Sequence, residues 1–581
     1  MNAPDSKIRP ARISNPLVSD LSAGFSVAVI AIPQAIAYAM IAQVPAEYGI
    51  YTLVIHAILG TFLNHNRLMS VGPTNTQSLL VASILVHIIG REAIDDPAAR
   101  GQLYIQLAVS LTFLKGIIQL GLAALRLGAL ARYFSRSVIL GFTSGAGMLI
   151  ALGQLPAFFG IEGPQDYANW PASVAIVIHV AQSASDISWP AVLVACLSIS
   201  VVVGCKLRSR MLPGPLIALL VTGLLSASLG WSGQSVPCVA WSPVGWLPME
   251  LPRLDWQRME LLLGGAFALS VLGMVETYSI ARSVAASSES SGKPDRELAA
   301  QGTIHIVSSF FGCIPGSGSF ARSTMNVYAG AVTRYAGLVC GLVVAAVFLL
   351  ASPMISYLPL ATLAGQLMVM AYTLSSWRGI RKILRADRID GSVAIFTFAA
   401  TLLLPLHYAI FAGVLLNLAL YIRNVSRLDI MELTSADSVS FTERPIQGPE
   451  DLTDSEVIVI QLQGDLFFGL ADDLDQYFRK LSGSGVKVVV IRLKGTRSMD
   501  TTVMHRFAVF ARQLQKRDAA LVCSGITPDL KVKLAKFGLV KQLGAENLFE
   551  SGSTVFESSR AAILRAQQLI AGIDTASDQA D

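Results

Sequence analysis

The chain has 581 residues, of which 14% are charged and 53% are hydrophobic, and its mean hydropathy is +0.56. Because soluble proteins carry about 25% charged residues, most of this chain is too apolar for a soluble fold. The formal net charge of +5 is small, and no basic run with interleaved aromatic residues indicates a nucleic-acid partner. The six cysteines lack metal-ligand spacing, so neither a metal nor a cofactor is expected.

The chain begins with a polar segment, residues 1–21, that lacks the apolar stretch of a signal peptide. We therefore expect the first apolar segment to remain in the membrane. A transmembrane helix needs about 20 mainly apolar residues. Segments of that kind occur at 22–43, 49–64, 102–123, 136–155, 188–205, 213–230, 261–283, 297–312, 335–350, 357–375, 390–404 and 406–424.

Two further apolar segments, 73–88 and 319–332, are shorter, and each follows a stretch rich in Gly, Pro and Ser. Counting both gives fourteen spans, and an even number places both termini on one side of the membrane. Lys and Arg residues between the spans fall overwhelmingly on the side that holds the N-terminus, which indicates that both termini are cytoplasmic. We expect a multi-pass protein of the inner (cytoplasmic) membrane, with its membrane domain over 22–427.

The sequence becomes polar and mixed after residue 427. Residues 428–455 are expected to form a linker and the start of a soluble region, and residues 566–581 a disordered tail. Between them, over 456–565, short apolar runs typical of strands alternate with segments of helical periodicity. That alternation predicts a cytoplasmic α/β domain.

The two interrupted segments indicate how the membrane domain is built. Transporters with inverted repeats place short, Gly- and Pro-interrupted helices at matching positions of their two halves. Gly72 and Gly316 mark the interruptions, and the first span of each half carries one polar residue in its middle, Gln34 or Glu276. Both pairs are separated by nearly the same length of chain. We therefore predict an all-α membrane domain with a 7+7 inverted repeat and two broken half-helices.

The starts of the two half-helices are the predicted anion site. A half-helix that begins inside the membrane leaves unsatisfied N–H groups in its first turn and carries about half a positive charge there. The predicted starts, at 74–76 and 319–321, should face each other near the midplane of the bilayer. Two such N-termini can bind an oxyanion without a fully buried lysine.

Several motifs together carry a resemblance to a known family. They are IPQAIAYA at 32–39, SVGPT at 70–74, RYFS running into GFTSG at 132–145, and SSFFG through GSFARS at 308–323. With these motifs the sequence resembles the SulP anion permeases, the family that also contains the animal sulfate and chloride exchangers and prestin. The resemblance covers essentially the whole chain, including its C-terminal domain.

This resemblance implies a core domain, made of spans one to four and eight to eleven, that moves against a gate domain. It places the anion between the third and tenth spans, and it implies a homodimer, although no dimer motif is visible in the sequence. The matching site positions are Gln34 and Tyr38 on the first span, Thr74 on the third, and Phe320 and Ala321 on the tenth. The predicted half-helix starts add Asn75 and Ser319 to the substrate site, and the intramembrane charge of Arg322 adds that residue. Gln34 and Tyr38 share one helix face, where an amide can donate to the anion and a ring can wall the site. The alternative for both is packing between helices.

One arginine and one acid are expected away from the ends of their spans, where charge is unfavourable and a functional role is the default reading. Arg322 should add positive potential behind the anion, or else form a structural pair with Glu276. Some family members carry an acid at the position of Glu276, so the resemblance implies coupling to H⁺ or Na⁺ there.

The sequence departs from the family pattern at several positions, three of which lie within spans of the predicted core domain. Some proton-coupled relatives have Glu where this chain has Gln34, so that coupling route is absent. Ala321 replaces a hydroxyl of some relatives and leaves backbone N–H groups as the expected donors. Lys115 lies in the middle of a span, where it should pair with an acid, line a cavity, or show that the span is shifted.

The C-terminal domain resembles a STAS domain. Its loop at 498–502 matches the place where bacterial anti-sigma antagonists carry a phosphorylated hydroxyl, which falls on Thr502. The alternative is an ordinary helix N-cap by Asp500 or Thr501.

The function favoured by these observations is secondary active transport of a small inorganic anion by alternating access around a midplane site, with sulfate first. Bicarbonate or a C4-dicarboxylate is the alternative substrate. An anion channel or motor is less favoured because an intramembrane acid is present and a wide polar pore is not. A sensor that signals through the tail is a further alternative. No nucleophile, metal cluster or nucleotide-binding loop indicates an enzyme.

Overall fold

The computed structural model of the chain divides into two compact units, Met1–Asn417 and Leu418–Asp581. The structure describes residues 15–89, 96–163, 171–209, 212–231, 233, 235–239, 249, 251–253, 256–285, 294–426, 429–437, 440–446, 451, 455–496, 498–552 and 556–577. Most of the expected N-terminal segment, parts of the expected linker and the last four residues therefore lie outside the described residues.

The first half of the membrane unit begins with a capped helix. Pro16 stands at its first position, where a missing N–H does no harm, and Asn15 Oδ1 accepts a hydrogen bond from the N–H of Leu17 (3.1 Å). The elements of this half are α1 (Pro16–Ile41), α2 (Ala46–Leu63), β1 (Val71–Gly72), α3 (Asn75–Ile89), α4 (Pro97–Ala124), α5 (Arg136–Gly153), α6 (Leu155–Phe159), α7 (Ala172–Gln182), α8 (Trp189–Arg208) and α9 (Gly214–Ser228).

The second half repeats this order of elements. Two long helices again precede a two-residue strand, a short helix and a series of further spans. Its elements are α10 (Met259–Ala285), α11 (Pro294–Ser309), β2 (Ser317–Gly318), α12 (Phe320–Tyr328), α13 (Tyr335–Ile355), α14 (Leu360–Leu374), α15 (Trp377–Ala386), α16 (Arg388–Leu403) and α17 (Leu406–Val425).

Each of the fourteen predicted spans corresponds to one helix, with α6, α7 and α15 as additional short helices. In the described part of the chain, seven helices are long and apolar enough to cross a membrane by themselves. The half-helices α3 and α12 have only 15 and 9 residues, because a two-residue strand replaces the missing turns. The prediction of an all-α membrane domain with two broken helices is confirmed.

Helix packing follows the repeat. In the core, α13 packs on α1 and α2, and its counterpart α4 packs on α10 and α11. In the gate, α5 packs on α16, and α8 packs on α14 in the matching arrangement. Because each of these four sets of contacts has a counterpart in the other half, the 7+7 repeat is visible in the packing as well as in the order of elements.

Glycines allow the tightest of these contacts. A Cβ atom on Gly116 of α4 would lie 2.8 Å from the carbonyl oxygen of Gly302 on α11, and a Cβ on Gly302 would lie 2.9 Å from the carbonyl oxygen of Gly116. Small residues that bring two backbones together are typical of helix pairs inside membranes.

The second unit contains a six-stranded sheet in the order β4-β3-β5-β6-β7-β8. Strands β5 to β8 pair in parallel, and β3 pairs antiparallel with both β4 and β5. The strands are β3 (Asp429–Asp437), β4 (Ser440–Ile446), β5 (Val457–Gln463), β6 (Val488–Gly495), β7 (Ala520–Ile526) and β8 (Leu548–Glu550). The helices are α18 (Ala471–Gly483), α19 (Thr501–Gln515), α20 (Pro528–Phe537), α21 (Leu539–Leu543) and α22 (Glu557–Ser577). The predicted α/β architecture is confirmed.

One expectation for this unit is wrong. Residues 566–581 were expected to form a disordered tail, but α22 continues to Ser577. Ala562 and Ala566 are fully buried in a cluster with Val488, Val490 and Val522 of the sheet. Packing of this apolar face against the sheet therefore stabilises the helix. The expectation of disorder came from the many polar residues of the segment.

Candidate anion-binding site

A two-residue antiparallel ladder joins the two interrupted segments of the membrane unit. Val71 pairs with Gly318, and Gly72 pairs with Ser317. The N–H of Ser319 extends the ladder by donating to the carbonyl oxygen of Ser70 (2.8 Å). Non-helical backbone in the membrane needs such partners, and here each interrupted segment satisfies the other. The starts of α3 and α12 are therefore held side by side, as the sequence predicted.

The two half-helices begin in the same way. Thr74 precedes α3, and its carbonyl oxygen accepts from the N–H of Ser78 (2.9 Å). Ser319 precedes α12, and its carbonyl oxygen accepts from the N–H of Ser323 at the same distance. The hydroxyl of Thr74 lies 3.2 Å from that of Ser317, which ties the first half-helix to the second segment.

The first turn of α12 offers free donors. Among the described residues, none accepts a hydrogen bond from the backbone N–H of Phe320 or Ala321. Both residues are exposed, and Phe320 retains 59% of its accessible surface. Unsatisfied N–H groups at the positive end of a helix are the donors that an anion requires.

Arg322 lies beneath the ladder. Its side chain is 1% exposed, and Nη1 donates to the carbonyl oxygen of Pro73 (3.0 Å). Nε and Nη2 have no hydrogen-bond partner in the described part of the chain. A Cβ atom on Gly72 would lie 2.8 Å from Nη2, so glycine there leaves the space that the guanidinium occupies.

Glu276 belongs to the same cluster but does not pair with Arg322. Its carboxylate accepts from the hydroxyl of Ser317 (2.6 Å), from the hydroxyl of Thr76, and from Nε2 of Gln77 (3.3 Å). No ion pair joins it to Arg322 among the described residues. Of the two roles that the sequence left open for Arg322, the structural pair with Glu276 is not formed.

Lys115 completes the cluster from α4, although its sequence position did not predict a place in the site. Its ammonium is fully buried and donates to Oε1 of Gln77 (2.8 Å) and to the carbonyl oxygen of Gly316. Lys115 lies well inside α4, so the span was not shifted. A lysine in the middle of an apolar span was the available signal, but the sequence alone could not name its partners.

Two buried histidines support the ladder from the helices that precede it. Nδ1 of His305 lies 2.6 Å from the carbonyl oxygen of Gln301, and its Nε2 lies within hydrogen-bond distance of both the carbonyl oxygen (2.9 Å) and the N–H (3.2 Å) of Gly316. The ring of His305 packs edge-on against that of His56, with centroids 5.2 Å apart, and Nε2 of His56 bonds the hydroxyl of Ser308 (2.9 Å). His56 lies on α2 and His305 on α11, so each half of the repeat contributes one of the two rings.

The remaining predicted site residues lie on α1 and at the start of α3. Gln34 is half-buried, and its Oε1 has no partner among the described residues. Tyr38 is buried, and its hydroxyl contacts the sulfur of Met370 on α14 (3.3 Å) rather than either half-helix. Oδ1 of Asn75 accepts from the N–H of Thr76 (2.9 Å), so its side chain closes the first turn of α3.

A cavity of about 990 Å³ lies between core and gate helices, near the C-terminal end of α1 and the N-terminal end of α14. Ile41, Leu79 and Ile150 line it and also belong to the apolar cluster that contains Tyr38. This cluster therefore borders the cavity where the core and gate helices meet.

In the second unit, Asp500 caps α19 and its carboxylate accepts from the N–H of Val503 (2.9 Å). Thr502 is the second residue of that helix and is exposed. Burial holds the pKa of Arg492 below its ordinary value, and its guanidinium stacks on the ring of Phe556 (4.5 Å to the centroid).

Comparison with known families decides the identity. The family profile described as the sulfate permease family matches residues 17–397, well over half of the chain, and the STAS domain profile matches residues 449–558. The chain belongs to the sulfate permease family. This permease is therefore a multi-pass membrane protein that transports anions and is not an enzyme, and its second unit is a STAS domain.

Individual relatives resemble this permease along nearly its whole length. YvdB of Bacillus subtilis is 27% identical over 543 residues, which cover 91% of this chain and 96% of that protein. Sulfate transporter 4.1, chloroplastic, of Arabidopsis thaliana is 26% identical and covers 93% of this chain, with 80% of its own length matched.

Solved structures show the same fold. The inward-facing murine anion transporter Slc26a9 has a TM-score of 0.85 at 20% identity, covering 96% of this chain and 92% of the murine chain. The transmembrane domain of the cyanobacterial bicarbonate transporter BicA has a TM-score of 0.60 at 21% identity and covers 70% of this chain, with 99% of its own length matched.

Proposed function

We propose that this permease carries sulfate across the cytoplasmic membrane by secondary active transport. The observation that supports this best is the first turn of α12, where free backbone donors of Phe320 and Ala321 lie next to the buried cation of Arg322. A doubly charged oxyanion gains most from such a combination of donors and positive potential. The Arabidopsis relative named as a sulfate transporter supports the same substrate.

Alternating access would proceed by movement of the core helices against the gate helices. The half-helix starts belong to the core, whereas the apolar cluster around Tyr38 bridges to α5 and α14 of the gate. Moving that cluster aside would connect the cavity to the anion site. Glu276 is the proposed coupling residue, with H⁺ or Na⁺ as the coupling ion, because its carboxylate lies within hydrogen-bond distance of side chains at both half-helices.

Three further expectations are part of this proposal. Both termini lie in the cytoplasm, the protein forms a homodimer in the inner membrane, and Thr502 of the STAS domain is a site of regulatory phosphorylation. The charge bias of the loops supports the first, and the exposure of Thr502 at a helix N-terminus supports the last.

Uptake into proteoliposomes tests the substrate. Labelled sulfate, bicarbonate, fumarate and chloride are offered in turn to the purified full-length protein, with empty liposomes as the control. We expect saturable, gradient-driven sulfate uptake that unlabelled sulfate suppresses. Preferential accumulation of bicarbonate or fumarate would replace sulfate with that substrate, and rapid chloride flux without saturation would indicate a channel.

A further inference from the structure

The polar cluster beside Glu276 resembles the oxygen cage of a small cation. The hydroxyls of Thr76 and Ser317 contact the Glu276 carboxylate, and Oε1 of Gln77 and the carbonyl oxygen of Gly316 complete the set. Carbonyl oxygens of interrupted helices, combined with side-chain oxygens, are the ligands that transporters use for Na⁺.

A side chain of the protein already occupies this cage. The ammonium of Lys115 reaches in from α4 and donates to Gln77 and to Gly316. Its acceptors are both neutral oxygens, and in the described part of the chain no carboxylate lies within 4.0 Å of it. Lys115 therefore contacts the oxygens that a bound cation would use, instead of forming a direct ion pair.

Gln77 connects the two opposite charges. Its Oε1 accepts from Lys115, and its Nε2 donates to Glu276 (3.3 Å) and to the carbonyl oxygen of Leu269 (3.4 Å). The amide is thus held in one orientation, with its oxygen directed to the ammonium and its nitrogen to the carboxylate. This arrangement leaves Oε1 of Gln77 engaged for as long as Lys115 keeps its place.

We infer that Lys115 is a tethered cation that excludes Na⁺ from the coupling site, so that H⁺ is the coupling ion of this permease. The inference rests on the proposed function, which leaves H⁺ and Na⁺ open. Two of the cage oxygens are taken, and the ammonium repels a second cation in a region of low dielectric constant.

Binding of a proton requires fewer free oxygen ligands than binding of a metal ion. It requires a single lone pair of the Glu276 carboxylate, and the hydroxyls of Thr76 and Ser317 can rotate to accept the new O–H. The other titratable and charged side chains near the cluster are Tyr38 on α1, His56 on α2, Lys115 on α4, His305 on α11 and Arg322 on α12. None of these five is a carboxylate, so among the described residues near the cluster Glu276 is the acid available to carry the proton.

The test compares Na⁺ with choline in proteoliposomes and in a thermal unfolding assay of the same full-length protein. For the native chain we expect equal uptake and equal melting temperature in both salts, and faster uptake with an inward proton gradient. Lys115→Met has nearly the same volume but frees both oxygens, so we expect Na⁺ to increase its uptake several-fold and to raise its melting temperature.

Two controls separate charge from burial. Lys115→Arg keeps a cation at the cage and should remain insensitive to Na⁺. Gln119→Met removes a buried polar group one turn further along α4, where the side chain is 1% exposed, and should also remain insensitive. If Lys115→Met does not fold, Lys115→Gln removes the charge with smaller disruption and takes its place.

Accumulation driven by a Na⁺ gradient in the native protein would overturn the inference. So would a Lys115→Met or Lys115→Gln variant that folds but whose uptake and melting temperature are both unaffected by Na⁺, because the ammonium would then not be what excludes the ion. If the native protein carried no anion under any gradient, the proposed function would fail, but the Na⁺-dependent melting temperature of the Lys115 variant would still decide the inference.

Discussion

The starts of the two half-helices share one backbone arrangement but differ in the side chain that each carries in its first turn. Three residues after the hydroxyl that precedes each helix, α3 carries Gln77 and α12 carries Arg322. Gln77 is bonded through both ends of its amide, to Lys115, Glu276 and Leu269. Arg322 bonds through a single nitrogen and leaves two without a partner among the described residues.

Because of this difference, the polar groups of the two half-helices have different surroundings, although the repeat supplies the same backbone arrangement in each half. The first half-helix satisfies its polar groups inside the protein and thereby organises Glu276. The second leaves backbone donors and a buried positive charge uncompensated by the described residues. That arrangement is unfavourable when no anion is bound. Under the proposed function, divergence of the duplicated half would give the site a coupling side at Glu276 and a substrate side at α12.

The largest expected effect comes from making the second half-helix like the first. Arg322→Gln removes the cation behind the free N–H groups of Phe320 and Ala321. We expect anion affinity to fall by about 2 kcal/mol, or ~30-fold, for each charge on the anion. Thermal stability should not fall, because Arg322 forms no ion pair among the described residues and the substitution therefore leaves no carboxylate unpaired.

Uptake measured over a range of sulfate concentrations, together with melting temperature, checks this expectation. Arg322→Lys is the matched control and should retain most of the affinity, since it keeps the charge. Native affinity in Arg322→Gln would mean that the guanidinium does not act on the anion.

The next effect tests the ladder that holds the half-helices together. A Cβ atom on Gly316 would lie 2.4 Å from the carbonyl oxygen of Gly72, which is backbone and cannot turn away. On Gly318 the nearest atom is the flexible sulfur of Met69, at 3.1 Å. We expect Gly316→Ala to lower stability by about 1–3 kcal/mol and to abolish uptake, and Gly318→Ala to do neither. Comparable uptake in the two variants would show that the ladder is not required.

A smaller effect on stability, but a specific one on coupling, is expected at Glu276. Glu276→Gln keeps the size of the side chain and part of its hydrogen bonding to Thr76 and Ser317 while removing the charge. We expect proton-driven accumulation to be lost, exchange of one anion for another to survive, and stability to fall by about 1–2 kcal/mol. The outcome is read from uptake with and without a pH gradient. Full gradient-driven accumulation would return Glu276 to a structural role.

The hydroxyl that precedes α12 should matter less. Ser319 Oγ accepts from the N–H of Arg322 at 3.4 Å, which is long for a cap. Ser319→Ala should therefore cost at most about 1 kcal/mol of stability and lower uptake modestly. A loss of uptake as large as that in Arg322→Gln would place the hydroxyl itself in the anion site.

The smallest effect is expected at a helix start outside the membrane. Thr502 is exposed and Asp500 already caps α19, so Thr502→Ala should change stability by no more than about 0.5 kcal/mol, whereas Asp500→Ala should cost about 1 kcal/mol. Hydrogen exchange of the α19 amides in the full-length protein measures both. A large effect of Thr502→Ala would show that its hydroxyl has a structural partner.

The sequence predicted the parts of this site that depend on local rules. Hydropathy located the spans, and the glycines and prolines around Gly72 and Gly316 located the interruptions. Arg322 was noticed because charge is rare inside a span. Each of these features depends on residues that are close together in the sequence, so a single sequence is enough to predict it.

The partners of those residues could not be predicted in the same way. The bond from Thr76 to Glu276 joins residues 200 positions apart, and that from Lys115 to Gly316 joins residues 201 apart. The ladder itself has two residues in each strand, too few to show any periodicity. Charge alone therefore left a pair between Arg322 and Glu276 open as one alternative, whereas the fold gives each a different neighbour.

The ladder also has a consequence for how the protein is made. The hydroxyl pair of Thr74 and Ser317 joins residues 243 positions apart. Ribosomes add about 5–20 residues each second, so the first interrupted segment waits roughly 10–50 s for its partner to be synthesised. During that interval the backbone of the first segment lacks its ladder partner, because neither half of the repeat can complete its own site. We therefore expect the anion site to form only after the second half has been synthesised and inserted.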